Sequence, residues 1–193
     1  MGTQCTNITA INGDTIDFQS SFTVEPYDSV VKSMSIVQYS FKSIALSNIN
    51  SIPSKMKFTI RHDDKTVLFV AYTLNLWSQA GKSFGVSLYL ETVGNVVIPS
   101  NYSKLREVTV LGIECNVFSG QNKFNVDEFI IVAKKVDRDL EIDLKPFLNM
   151  LQQWTEIRSD FLLSDVSLTT QIIGGSGRVT VNHLSISVNA RNM

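Results

Sequence analysis

The 193-residue sequence predicts an all-β chain, a sandwich or jelly roll, with one helix packed on its outside. Three observations carry this. Short strand-like runs recur between turn signals along the whole chain. One segment alone switches to helical spacing. No Pro/Gly/Ser-rich linker, internal repeat or low-complexity stretch divides the sequence, so residues 1–193 read as a single domain.

The strand-like runs are Thr15–Val24, Val37–Phe41, Lys55–His62, Thr66–Leu76, Phe84–Leu90, Glu107–Phe118, Asp127–Ala133, Leu162–Gln171 and Arg178–Val188. In the fifth, Phe84, Val86, Leu88 and Leu90 fall on one face at period two, and Gly85, Ser87 and Tyr89 on the other. The first face reads as core; the second suits the floor of a sugar-binding groove. A glycine inside a strand weakens it, so Gly85 needs a reason. The glycine-rich Gly174-Gly175-Ser176-Gly177 lies between two runs and precedes no helix, which makes it a turn rather than a phosphate loop. In the last run the phase slips near Asn182-His183, the mark of a bulge. From Asp143 to Trp154 the apolar residues Leu144, Phe147, Leu148, Leu151 and Trp154 keep helical spacing, with Asp143 as N-cap and Pro146 in the first turn.

Composition excludes several function classes. Formal net charge is -1 and Lys/Arg are scattered, so no basic stripe fits nucleic acid. No apolar run of 18 or more residues spans a membrane. No secretory leader pattern precedes Cys5. The two cysteines, Cys5 and Cys115, form no disulfide framework, and Cys115 reads as a small buried residue. His62 and His183 belong to no metal-ligand or nucleophile motif, so no metal or cofactor is expected. Asn7-Ile8-Thr9 and Asn101-Tyr102-Ser103 are glycosylation acceptors if the chain is secreted, which makes Asn7 and Asn101 the acceptor residues.

The order of segments resembles glycoside hydrolase family 12, the endoglucanases and xyloglucan-specific endoglucanases, with oomycete members the nearest likeness. Gly2-Thr3-Gln4-Cys5-Thr6 is similar to the family's entry to its second strand. Val31-Lys32-Ser33 followed by Ser51-Ile52-Pro53-Ser54-Lys55-Met56-Lys57-Phe58 is similar to its Val-Lys-Ser-Tyr and Ser-Ile-Pro-Thr segments. Val70-Ala71-Tyr72-Thr73-Leu74 parallels Val-Ala-Tyr-Asp-Leu, Asp143 to Leu151 the single helix, and Val179-Thr180-Val181-Asn182-His183-Leu184-Ser185 the closing strand. The resemblance implies a concanavalin-like β-jelly roll whose inner sheet forms a concave groove for β-1,4-glucan. It also implies a retaining hydrolase, which needs a nucleophilic and an acid/base carboxylate about 5–5.5 Å apart in contrasting environments.

Aligned on the family, the nucleophile position is Gly85, the acid/base position is Thr170 (or Gln171 with a one-residue slip), and the supporting Asp is Thr73. All are neutral. The family's first strand, with its stacking Trp, has no counterpart before Gly2, which leaves Cys5 unpaired and a sheet edge open. The implied protein is a non-catalytic member that binds β-glucan or xyloglucan through Tyr89, Ser87, Gln171 and Thr73, or meets a protein partner at the open edge. The alternatives are an active endo-β-1,4-glucanase or xyloglucanase with relocated acids, Glu114 or Glu91, and a structural or self-assembling β-protein. Asp127 and Glu128 read as solvated residues at a strand start. Family resemblance implies an extracellular setting.

Overall fold

A computed structural model describes residues 2–25, 31–96, 98–122 and 125–191. The strands are β1 (Gly2–Asn12), β2 (Thr15–Val24), β3 (Ser33–Ala45), β4 (Ile49–Ser51), β5 (Pro53–His62), β6 (Val67–Trp77) and β7 (Ser83–Val93). After them come β8 (Ser103–Val110), β9 (Ile113–Gln121), β10 (Asp127–Ala133), β11 (Asp139–Asp143), α1 (Lys145–Gln152), β12 (Leu162–Ile186) and β13 (Asn189–Ala190). They form a jelly roll of two packed sheets, as the sequence predicts.

One strand ties the sheets together. The first half of β12 pairs with β3 and β6, and its second half with β2 and β5. The outer sheet therefore runs β1-β2-β12-β5-β11, and the inner sheet β3-β12-β6-β7-β10-β9-β8. All neighbours are antiparallel except β7 and β10. The expected turn at Gly174–Gly177 is instead the crossing point inside this 25-residue strand. Gly175 sits at φ 92°, and a Cβ there would come within 2.3 Å of the Thr66 backbone, so the crossing admits glycine alone.

Other boundaries differ for local reasons. The run Glu107–Phe118 is a hairpin, because Leu111 (φ 53°) and Gly112 (φ 78°) reverse the chain in a two-residue turn. The acidic stretch before the helix is not a helix entry but β11, whose Asp139 and Glu141 pair across the ladder with Lys57 and Lys55. The helix is shorter than 143–154 and its cap position is Leu144. Asp143 instead accepts hydrogen bonds from the amides of Ile52 (2.7 Å) and Lys145 (3.0 Å), pinning the helix start to β4–β5. The bulge near His183 is present, with His183 at φ 55° and a register shift after Val181.

The core between the sheets takes one face of most strands, with Phe18, Phe22, Met56, Phe58, Leu74, Val86, Leu88, Ile131, Leu168 and Val181 among its residues. Helix α1 adds Phe147, Leu148 and Leu151 to the same core. The inner sheet's other face is concave, and there the alternation places Thr73, Gly85, Ser87, Tyr89, Glu128 and Gln171. Of the four edge strands, β1, β11, β3 and β8, it is β1 and β3 that carry the exposed Ile8, Ile11, Met34 and Ile36. No helix of the described residues is long and apolar enough to cross a membrane.

Candidate functional site

The concave face divides into two ends. At one, Phe69, Ala71, Tyr89, Ile130 and Ile173 form a second apolar cluster, covered by Val96, Ile98 and Tyr102 from the chain between β7 and β8. Tyr89 is 7% exposed and stacks on Phe69 with ring centroids 4.2 Å apart. The expected sugar platform is thus a packing residue under a lid. Burial, then the nearby Glu128 charge, holds its hydroxyl well above the usual tyrosine range.

The other end is open. A cleft of about 580 Å³ is lined by Thr73, Asn75, Trp77, Gly85, Glu128 and Ser164. The ladders give its centre an explicit row: Asp165 on β12 pairs with Asn75 on β6, Asn75 with Gly85 on β7, and Gly85 with Glu128 on β10. Gly85 is where the row has no side chain, and Glu128 leans into that space. A Cβ on Gly85 would lie 3.4 Å from Glu128 Cγ and 3.8 Å from its carboxyl carbon. A carboxylate therefore does stand over Gly85, supplied by the neighbouring strand.

Glu128 is held on both oxygens. Ser87 Oγ donates to Oε1 at 2.9 Å and Tyr102 Oη to Oε2 at 2.5 Å. Tyr102 reaches it because β9 has glycine beneath: a Cβ on Gly120 would lie 2.7 Å from both the Asn101 carbonyl oxygen and the Tyr102 ring. Burial, reinforced by the hydrogen bond to Glu128, raises the Tyr102 hydroxyl well above its usual range, so it stays a donor. At the far end of the row, Asp165 accepts from Asn75 Nδ2 (2.8 Å) and Ser164 Oγ (2.9 Å).

The sequence-derived positions fall differently. Thr73 faces the cleft beside Ser87 and Ser167. Gln171 is on the concave face, but Thr170 points into the core, where its hydroxyl has no partner among the described residues. Both lie five to six residues along β12 from the row of Gly85, roughly 17–20 Å. The positions assigned to nucleophile and acid/base thus do not face each other, and the carboxylates of the Gly85 row are Glu128 and Asp165. Glu91 drops out because a register shift at Leu90 pairs it with the core residue Val70, and Arg138 binds its carboxylate at 3.1 Å. Glu114 sits beside the β8–β9 turn, paired with Lys134 at 3.0 Å.

Asn7 is exposed on β1. Asn101 is exposed too, its amide donating to the Gln121 carbonyl oxygen at 2.5 Å. Cys5 is exposed and free; Cys115 is buried and free, its thiol pushed up to about 11 by burial. No group of three or more metal-binding side chains occurs among the described residues.

A jelly roll with a cleft on its inner sheet agrees with the comparisons. A probable xyloglucan-specific endo-β-1,4-glucanase A of Aspergillus flavus is 32% identical over 191 residues, covering 97% of this chain and 79% of that protein. The chain belongs to glycoside hydrolase family 12. The xyloglucan-specific endo-β-1,4-glucanase 1 of Phytophthora sojae is 30% identical over 194 residues, with 97% and 80% covered. Among solved structures, Trichoderma harzianum endoglucanase 3 of family 12 superposes with TM-score 0.87 at 20% identity, covering 98% of this chain and 85% of that one. The xyloglucanase domain of NopAA from Sinorhizobium fredii, solved with cellobiose, gives 0.82 at 20% identity, with 97% and 88% covered. No family model matches the chain.

Proposed function

We propose that this family 12 protein binds β-1,4-glucan or xyloglucan without hydrolysing it by the family's retaining reaction. The carrying observation is the row through Gly85. Its near carboxylate, Glu128, is tied on both oxygens, and its other carboxylate, Asp165, stands three strand spacings from Glu128, roughly 14 Å between backbones. Retention needs two carboxyls about 5–5.5 Å apart, one free to attack and one protonated. The relatives' substrates point to the ligand class, and the open cleft with its polar floor supports it. Pure protein should release no reducing ends from xyloglucan or β-glucan, while calorimetry with cellotetraose or a xyloglucan oligosaccharide should record binding heat. Turnover by the pure protein overturns the first half; absence of heat overturns the second.

One observation favours a second reading, a hydrolase with relocated acids. Glu128 and Asp165 bound one row, with Asn75 and Gly85 between them. If turnover is found, E128Q and D165N decide it: both must abolish activity. A protein partner at the β1 and β3 edges, where Ile8, Ile11, Met34 and Ile36 are exposed, is the remaining proposal, and light scattering and pull-down test it. An extracellular setting is proposed from family membership, and fractionation of the source cells checks it.

A further inference from the structure

The outward face of the outer sheet carries two arginines side by side. Arg178 on β12 pairs directly with Arg61 on β5, and both are exposed. The next pair along, Val179 and Ile60, is buried, so the arginines point away from the core. Directly opposed residues have Cβ atoms about 4.5–5.5 Å apart, and like charges at that spacing repel. Other cations on this face are neutralised: Lys57 pairs with Asp139 and Lys55 with Glu141 across the β5–β11 ladder. That ladder starts at Asp139, opposite Lys57, and so stops short of Arg61. Among the described residues no carboxylate pairs with Arg61 or Arg178. Arg178 Nε donates to Ser21 Oγ at 3.2 Å, which holds its guanidinium along the row Arg61-Arg178-Ser21-Cys5. An open depression of about 700 Å³ lies over this row, bordered by Thr3, Thr23 and Ser176 and by no acidic side chain. The adjoining row is Thr59, Thr180 and Gln19.

We propose that this face is a second binding site, for a polysaccharide bearing carboxylates, a uronic-acid chain, with Arg61 and Arg178 as a paired clamp on its anionic groups. The site stands apart from the glucan-binding reading. A guanidinium offers parallel donors that match the two oxygens of a carboxylate, and such charge-assisted bonds are the strong ones. An anion held between the two guanidinium groups also relieves their repulsion, which no described carboxylate does. The hydroxyls and amide of the flanking rows suit the hydroxyls of sugar rings. The same face disfavours other polyanions. Its outward positions on β1, β2, β5 and the second half of β12 include no aromatic residue, so unpaired bases have no stacking platform. Two cations make no stripe that could track a phosphate backbone. The formal net charge of -1 gives no general attraction for a polyanion, so binding must come from the local pair. The cleft over Gly85 is on the other sheet, so an acidic polymer held here leaves it open to a neutral one.

Calorimetry on the full chain at low salt compares an oligogalacturonate, its methyl ester and cellotetraose. The oligogalacturonate should bind at this face, and the uncharged ester should not. R61Q/R178Q should weaken oligogalacturonate binding about tenfold or more and leave the cellotetraose response unaltered. Its melting temperature should hold or rise, because a repelling pair is removed. R61K/R178K keeps both charges without the forks and should restore only part of the affinity. No heat with oligogalacturonate, or equal heat with its ester, overturns the proposal. So does undiminished binding by R61Q/R178Q, or a fall in its melting temperature. Full affinity in R61K/R178K overturns the clamp, and tighter binding of a sulfated oligosaccharide overturns the carboxylate class.

Discussion

The two ends of the concave face are built on the same strands and do opposite things. At the Tyr89 end, the face is apolar and the chain between β7 and β8 lies across it, so aromatic residues that look like ligand platforms serve as core. At the Gly85 end, the same strands carry Thr73, Asn75 and Ser83, the cover stops, and Trp77 stays open. Tyr102 is the hinge between them. Its ring belongs to the apolar cluster, and its hydroxyl holds Glu128 in the open cleft. Whether a groove aromatic stacks on a sugar or on a neighbour therefore depends on what crosses above it, which strand alternation alone does not report.

The sharpest way to break this comparison is Tyr89→Ala. Truncating a buried aromatic that stacks on Phe69 should cost about 3 kcal/mol or more of stability, read as a lower denaturant midpoint. Affinity for cellotetraose at the other end should be unchanged. If Tyr89→Ala instead loses binding without losing stability, the assignment of the two ends is reversed.

Gly120→Ala is the next largest. Its new methyl group would press on the Asn101 carbonyl and the Tyr102 ring. The ring must lift, with a cost of about 1–3 kcal/mol for overpacking, and Glu128 loses one of its two donors. This variant should couple the ends, lowering the melting temperature and weakening oligosaccharide binding together. Tyr102→Phe, which removes the donor and keeps the ring, should weaken binding with a smaller loss of stability.

Much of this was legible in the sequence. Period-two alternation in Phe84–Leu90 places the core face of β7 without ambiguity, and Asp127–Ala133 and Thr15–Val24 match their strands end to end. Glu128 was missed because an acid at a strand start is normally solvated. The available signal was its phase: it alternates with Phe129 and Ile131 and shares a face with Ile130 and Val132, so both faces of β10 are covered and an acid there stands among apolar neighbours. Its partners could not be read at all, since Ser87 and Tyr102 are brought to it by a parallel ladder and a returning loop. The β12 crossing was hidden by glycines that look like a turn yet serve close backbone approach. Trp77 lay one residue past the run Thr66–Leu76 and so escaped notice as a groove residue.

The smallest effect is the response to alkali, and it separates the two ends by chemistry. Tyr89 and Tyr102 both have hydroxyls held above the ordinary value of 10.0, chiefly by burial. Below pH 10 they are neutral whether the cover is closed or open, so they contribute no pH dependence. Above it, an opened or unfolded chain ionises them while the closed form does not, and stability falls as pH rises toward the folded values. The tryptophan and amide of the open end do not titrate in this range. Tyr72, in the main core and pushed up to about 12, adds the same sign elsewhere and serves as the control. Tyrosinate absorbance followed from pH 9 to 12, alongside the melting temperature, should show a decline that Tyr89→Phe makes shallower. A decline unaltered in that variant would mean that the cover over Tyr89 does not keep water from its hydroxyl.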